Sequence, residues 1–514
     1  MEHVGFLSLI PALLAIIVAI KTKNVISSLF LGVFVGVLIL VGGNPISAIT
    51  TMIQEYLFVQ LTDSYNAGVL VLLVFIGGFV ALMEKSGGAV AFAQKVSGLI
   101  NTRFKAQIAA WFGGIIIFFS DLGTPLIVGP IFEPLMDKIR VSREKLAWII
   151  DSTASPVAVL IPFIGWGVYV MGLIQKEYEA LQIMESDWTA FIRAIPFQIY
   201  PILAVLMVPL VAYTGYEFGL MAKAEKRIQE TGEVYWPNSN PLRKSVEVEN
   251  INSKAIIIWL PLIILFITLF GLLMPLGFPF KKVPGSAFRT ALSTGYLFAA
   301  ISIMGLMTYH KVKTLAESFN IYIKGMQKMM TVSIILVLAW ALGSVGKGLG
   351  TANYIVEMSQ GNIPAWAIPC LTFIVGAVMS FATGSSWGTF AIMLPLVIPM
   401  AHLLGAPMYV SIGAVLSGGL FGDHCSPISD TTILSSTGAG CDHIDHVRTQ
   451  LPYAVLNGVV SFIAYIIGGI TSSIIALFIA IALQIILLVI LSKTKGTKIS
   501  NVVLGEIKEE HPTL

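Results

Sequence analysis

Ionisable side chains are scarce in this chain, and a few of them stand inside otherwise apolar stretches. Asp121 belongs to the knot Ser120-Asp121-Leu122-Gly123-Thr124-Pro125, halfway along Ala106 to Asp137. Asp151 opens Asp151-Ser-Thr-Ala-Ser-Pro156, and Asp423 and Asp430 bracket Asp423-His-Cys-Ser-Pro-Ile-Ser-Asp430. A carboxylate at a bilayer centre costs roughly 2.5 to 3.5 kcal/mol on insertion scales, so each must face a cavity or a partner. Hydroxyls gather around them: Thr124, Thr153, Ser155, Ser385, Ser426, Ser429, Thr431 and Thr432. Hydroxyls, carboxylates and freed carbonyls are hard oxygen donors, a set that suits an alkali cation and not a transition metal. Asp423, His424 and Asp430 are the candidates for carrying a proton, His424 because imidazole titrates near neutral pH.

Each residue has a plainer reading. Asp121 would cap the second arm of its stretch, and a Ser or Thr in a membrane helix usually bonds back to its own backbone. Glu133 reads as a charge near one face. Cys441-Asp-His-Ile-Asp-His446 has no zinc spacing, and Asp442 or Asp445 would cap the next helix. Gly419-Leu-Phe-Gly-Asp423 has the wrong glycine spacing for an intramembrane aspartyl hydrolase, and no P-loop supports nucleotide-driven pumping, so an enzyme is not expected. No bound cofactor is expected beyond sodium as a coupling ion.

The elements that must position these groups are membrane helices. Of 514 residues 56% are hydrophobic and 11% charged, far from soluble averages, and the net charge of +3 is too dispersed for nucleic acid. Three cysteines make no disulfide framework. Runs of about 20 apolar residues, the length a span needs, recur. They predict eleven spans: Phe6 to Ile20, Val25 to Gly42, Gly68 to Met83, Leu146 to Ile174, Arg193 to Thr214, Ala255 to Leu273, Phe288 to Thr308, Met330 to Gly346, Met408 to Ser436, Leu451 to Ile470 and Thr471 to Leu491. The first is followed by Lys21 and Lys23 and lacks a basic leader, so it reads as a retained span. Ala106 to Asp137 and Pro364 to Leu404 are each interrupted by a Gly-containing polar knot and read as re-entrant hairpins, which are tolerated only where they are buried or line a wet cavity.

With the N-terminus outside and the C-terminus cytoplasmic, all but six of the 31 Lys and Arg residues fall on the inner face of a bacterial cytoplasmic membrane. The six are Lys176, Arg193, Lys281, Lys282, Arg289 and Lys347. Tyr235-Trp236-Pro237, in the inner loop of residues 215–254, reads as an interfacial anchor. The two hairpins overlay at an offset of 265 residues, Gly123-Thr124 on Gly388-Thr389, Pro130 on Pro395 and Pro134 on Pro399; Ser155-Pro156 falls on Ser426-Pro427 at an offset of 271. This predicts inverted repeats over 25–214, with a hairpin at 106–137 reached from the cytoplasm, and over 288–470, with a hairpin at 364–404 reached from outside. Single spans lie before (1–24), between (255–287) and after (471–514). Broken helices meeting near the midplane of such repeats are the mark of a secondary transporter.

The run Phe421-Gly-Asp-His-Cys-Ser-Pro-Ile-Ser-Asp-Thr-Thr-Ile-Leu-Ser-Ser-Thr437, continued by Cys441-Asp-His-Ile-Asp-His446 and Gln450-Leu-Pro-Tyr453, resembles the NhaC family of sodium/proton antiporters. The resemblance extends from roughly Leu29 to Ile470. It implies a homodimer with scaffold and transport domains and an elevator-like movement, and it places Asp423, Ser426, Ser429, Asp430, Thr431 and Thr432 at the ion site. Family members exchange sodium for protons or carry malate, lactate or amino acids such as methionine with sodium. Sodium and protons are therefore the expected cargo, with a small organic solute as the alternative. The Ile161-Pro-Phe-Ile-Gly-Trp-Gly-Val-Tyr169 stretch would accommodate such a solute through Trp166 and Tyr169.

Overall fold

The computed structural model describes residues 3–88, 91, 100–241, 253–278, 283–359 and 363–499. Lys281 and Lys282 lie outside the described residues, as do Lys95, Arg243, Lys244 and Lys508 of the inner-face count. The protein is an all-helical integral membrane protein; among the described residues the one sheet is a two-residue antiparallel pairing of Tyr216–Glu217 with Thr497–Lys498. Among the described residues nine helices are long and apolar enough to cross a membrane, or up to eleven if each of two bent pairs is one span. The upper figure equals the expected number, but its members differ. Both arms of the second hairpin are among them, while the two spans carrying the Ser-Pro pairs are not: one is broken into helices of 9, 4 and 16 residues, the other into helices of 18 and 9.

The first expected hairpin is two packed arms, Arg103–Ile116 and Gly123–Lys138. At 14 and 16 residues they reach about 21 to 24 Å, short of the ~30 Å hydrocarbon core. They run antiparallel: the Arg103 guanidinium at the start bonds the carbonyls of Ile139 and Arg140 past the end. The second hairpin pairs Ile368–Thr383 with Ser386–Leu404, and its base is closed by Ile368 against Ala401 and Ala406. Pro130 and Pro134 lie inside the second arm of one, Pro395 and Pro399 inside the second arm of the other, as the overlay requires. A proline there removes one backbone bond and bends the arm.

The helix His443–Thr471 shows how the hairpins face. Its 29 residues span about 43 Å. Near its start, Arg143 from just past the first hairpin bonds the Gly440 carbonyl at 3.0 Å. Near its end, a Cβ on Gly469 would stand 2.0 Å from the carbonyl of Trp366, at the base of the second hairpin. The hairpins therefore enter from opposite ends of the molecule. At the first end, buried ion pairs fasten the helix Gly219–Thr231: Arg103 to Glu225, and Arg227 to Glu144 at 2.8 Å. Lys145 reaches Glu217 at 2.7 Å, and Arg143 reaches Asp137 at 2.8 Å and Glu133 at 3.1 Å, which makes Glu133 a charge of that face. The Tyr235 and Trp236 rings lie under Arg143 and Arg227, at 4.9 and 4.4 Å. Asp442 caps His443–Thr471 through the Asp445 amide.

Close backbone contact joins the first hairpin to the second broken helix. A Cβ on Gly129 would lie 2.2 Å from the Gly438 carbonyl, and one on Gly438 would lie 2.1 Å from that of Pro125. Backbone cannot yield as a side chain can, so Gly129→Ala should lower the thermal midpoint in detergent by several degrees, on the scale of about 1 to 3 kcal/mol for overpacking. Gly305→Ala, with no atom within 4 Å of the added carbon, should leave the midpoint unchanged.

Candidate functional site

Each hairpin tip ends against an unwound backbone. In the second, Gly384 turns the chain at φ +66°, and a Cβ there would meet the Ile428 carbonyl at 2.6 Å, so only glycine lets the tip dock on the unwound segment between Met408–Cys425 and Asp430–Gly438. Ser426 fastens that segment by donating to the Phe381 carbonyl at 2.8 Å, and Ser385 caps the second arm through the Gly388 amide. At the first tip Ser120 accepts from the Gly123 amide and donates to Glu84 at 2.6 Å. The span Leu146 to Ile174 is interrupted between Arg143–Asp151 and Gly165–Ala180, with only the single turn Ser155–Ala158 between them.

The two tips, the second break and the start of Gly165–Ala180 enclose a cavity of about 430 Å³. Asp121, Asp423 and Asp430 all line it, with Ser385, Ser429, Thr431 and Trp166. Within it, Ser429 donates to one oxygen of Asp423 at 2.9 Å and Thr431 to the other at 3.1 Å, while the two hydroxyls lie 2.9 Å apart. Asp430 is exposed to the cavity at the first position of its helix, where the aligned amides favour a negative charge. The Trp166 indole N–H is buried beside Asp121 and makes no hydrogen bond of ordinary geometry. Its ring centroid is 4.7 Å from that of Trp387 at the second tip.

Several expected residues lie elsewhere. Thr124 bonds the carbonyls of Ile117 and Ser120, and Thr153 those of Ile149 and Ile150, the back-bonding typical of hydroxyls in helices. Ser155 is buried with its hydroxyl unpartnered, outside the cavity. Tyr169 does not line the cavity either; fully buried, it donates to the Trp387 carbonyl at 2.8 Å and holds the second tip. Asp151 and Thr432 form a separate buried cluster: Asp151 accepts from Thr432 and Ser435, each at 3.2 Å, and from Gln450 at 2.7 Å. His424 joins this cluster and not the cavity, 3.7 Å from Asp151 and 2.7 Å from the Tyr200 hydroxyl. Sequence reasoning missed Glu84, Lys328 and Trp387 on the cavity wall and Gln450 in the cluster. Glu84 and Lys328 stand just outside apolar runs, where a charge gives no sign of a site, whereas Gln450 belongs to the motif Gln450-Leu-Pro-Tyr453.

Paired hairpins meeting broken helices around a carboxylate-lined cavity, in an all-helical membrane body, define an integral membrane transporter. Residues 157–470, more than half of the chain, match the Na+/H+ antiporter family, and the chain belongs to that family. An uncharacterized protein of Haemophilus influenzae is 33% identical over 504 residues, 95% of each chain. The malate-2H+/Na+-lactate antiporter of Bacillus subtilis is 28% identical over 210 residues, 41% of this chain and 44% of that one. Among solved structures, the YdaH transporter of Alcanivorax borkumensis superposes with a TM-score of 0.53 at 15% identity, over 82% of this chain and 88% of that one. MtrF of Neisseria gonorrhoeae gives 0.53 and 15% over 82% and 84%. Both share the fold.

The two polar groups should separate experimentally. Ser429→Ala removes a hydroxyl from the cavity carboxylate and should weaken the sodium midpoint in a thermal-shift titration about tenfold. Gln450→Leu leaves Asp151 short of a donor, a loss on the scale of about 1 to 3 kcal/mol, and should lower the thermal midpoint without moving the sodium midpoint.

Proposed function

We propose that the protein is a sodium-coupled antiporter that exchanges sodium for protons by alternating access. The supporting observation is the Asp423, Ser429 and Thr431 group at the edge of an unwound helix, on a cavity that Asp121 and Asp430 also line. A sodium ion needs hard oxygens, and these hydroxyls offer lone pairs once they turn from the carboxylate. A carboxylate that holds sodium when ionised and releases it when protonated couples the two cargoes without a further group. Asp430 is well placed to trade one for the other, being open to the cavity, while Asp423 is held by its two hydroxyls. Inverted repeats, an outside N-terminus and a homodimer whose hairpins move as one unit belong to the same reading.

The volume of the cavity favours a second reading. About 430 Å³ falls in the range of small-molecule pockets, far beyond one dehydrated ion, and the Trp166 and Trp387 rings give it apolar faces with Lys328 at its wall. A small organic acid or amino acid would then travel with sodium.

In liposomes, sodium should drive proton movement, and Asp430→Asn should abolish it while the protein stays folded; undiminished exchange places the site elsewhere. A bound solute stabilises by about 2.7 kcal/mol at a hundredfold excess over Kd, enough for a thermal-shift screen. A solute that stabilises only with sodium present, and not in Trp166→Ala, decides for the carrier; no shift from a broad panel, with sodium-driven proton flux intact, decides against it.

A further inference from the structure

A second cavity lies apart from the one between the tips. It holds about 250 Å³ between the helix Ile10–Thr22, the end of Gly165–Ala180, the helix Met330–Leu349 and the second arm of the second hairpin, and a pocket of about 290 Å³ shares its Glu177, Gly343 and Lys347. Gly343 and Gly346 make room for it on one face of Met330–Leu349.

Glu177 points into both spaces. It is 5% exposed and, among the described residues, its carboxylate takes part in no hydrogen bond or ion pair. A Cβ on Gly343 would stand 2.5 Å from its Oε1, so the carboxylate lies against bare backbone that offers no donor. Buried carboxylates are ordinarily paired, as Asp151 is by three donors. Lys176 on its own helix and Lys347 on the opposite one line the adjoining pocket with Glu177, near enough to act through space, and among the described residues neither is bridged to an acid. A second acceptor lies on the hairpin wall: Pro399 cannot donate to the Pro395 carbonyl four residues earlier, and both prolines line the cavity. The cavity thus has acceptors on one side, the Lys347 ammonium on the other and apolar walls between, with Lys176 in the adjoining pocket.

We propose that this cavity is a second binding site, for a small molecule carrying a primary ammonium group and an anionic group a few atoms apart. The ammonium bonds Glu177 and the Pro395 carbonyl, and the anion faces Lys347. Because the ligand packs between Met330–Leu349 and an arm of the second hairpin, its occupancy bears on the hairpin's position and not on the ion site directly. A free amino acid and the headgroup of phosphatidylethanolamine share this chemistry.

The full chain in phosphatidylglycerol nanodiscs tests the site by thermal shift against β-alanine, O-phosphoethanolamine, and discs containing phosphatidylethanolamine. At least one should raise the midpoint saturably. A response to the lipid with none to β-alanine identifies the headgroup, and a response to β-alanine in either disc identifies the free solute; both uphold the site. Glu177→Gln and Lys347→Gln should each weaken the response about tenfold or more, and Asp423→Asn, in the other cavity, should leave it unchanged, so that it stands or falls apart from sodium exchange. If a charge variant fails to fold, Ala12→Leu, which fills the cavity from Ile10–Thr22 without touching a charge, should remove the response. No shift with any of the three probes, or an equal shift in the Gln and Leu variants, overturns the proposal.

Discussion

A helix that stops partway through a bilayer exposes amides and carbonyls that lipid cannot satisfy, and the surroundings of the site follow from that need. The break after Cys425 is tied to two other elements, the second hairpin and the helix His443–Thr471. Ser426 donates to Phe381 on the second hairpin, Gln450 reaches the His424 carbonyl at 2.6 Å, and His443 bonds the Pro427 carbonyl at 2.6 Å. Ser380 and Ser386 of the hairpin both donate to Gly419, in the helix before the break. The density of Ser, Thr and Gln here is thus first a condition of folding. The oxygen-rich cavity is its by-product, since a hydroxyl that donates to the backbone keeps lone pairs for a cation.

The same condition explains why the carboxylates fall into two kinds. Asp151 is bound by donors from the second broken helix and from His443–Thr471, which fixes these helices on one another. Its polarity is spent on assembly. Asp423 is only two residues from the unwound segment and takes its donors from beyond the break, Ser429 and Thr431, so it remains at the cavity surface. Four residues separate Cys441, in the connecting turn, from His446 in the helix, and the imidazole there bonds Gln450 at 2.9 Å, which orients the amide toward Asp151 and His424. The motif shared with sodium/proton antiporters therefore contains two layers: groups at the cavity, and groups that hold those in place.

The elements were largely legible in the sequence, and the facing of individual side chains was not. Knots of Gly, Ser, Thr and Asp within apolar runs mark hairpin tips because glycine and backbone acceptors serve the turn, and paired prolines at a constant offset marked matching arms. Asp423 and Asp430 stand out in the sequence because charge amid apolar residues is costly, and the structure places both on one cavity with Ser429 and Thr431. Thr124, Thr153 and Tyr169 were misplaced because a hydroxyl or ring in a helix gives no sign of which neighbour it meets. Glu84 and Lys328 were missed for a related reason: at the end of an apolar run a charge looks like an interface residue, although a hairpin tip reaching that depth makes it part of the site. The helix Pro45–Thr51, turned back with Phe58–Thr62 at 115° to Val25–Leu40, was not foreseen, since its apolar pattern is neither a span nor a loop.

Trp166 and Trp387 meet at 4.7 Å with an interplanar angle of 51°, one on the helix after the first break and the other at the second hairpin tip. Two indoles that close and tilted share their excited states, and the resulting circular dichroism couplet fades steeply with separation and changes with angle. The chain therefore carries its own optical gauge, built from residues that close the cavity, and the gauge reads the position of one tip without any attached label. Tyr169, packed on Trp387 at 4.7 Å, and Phe390, packed on Trp166 at 6.0 Å, hold the pair in register.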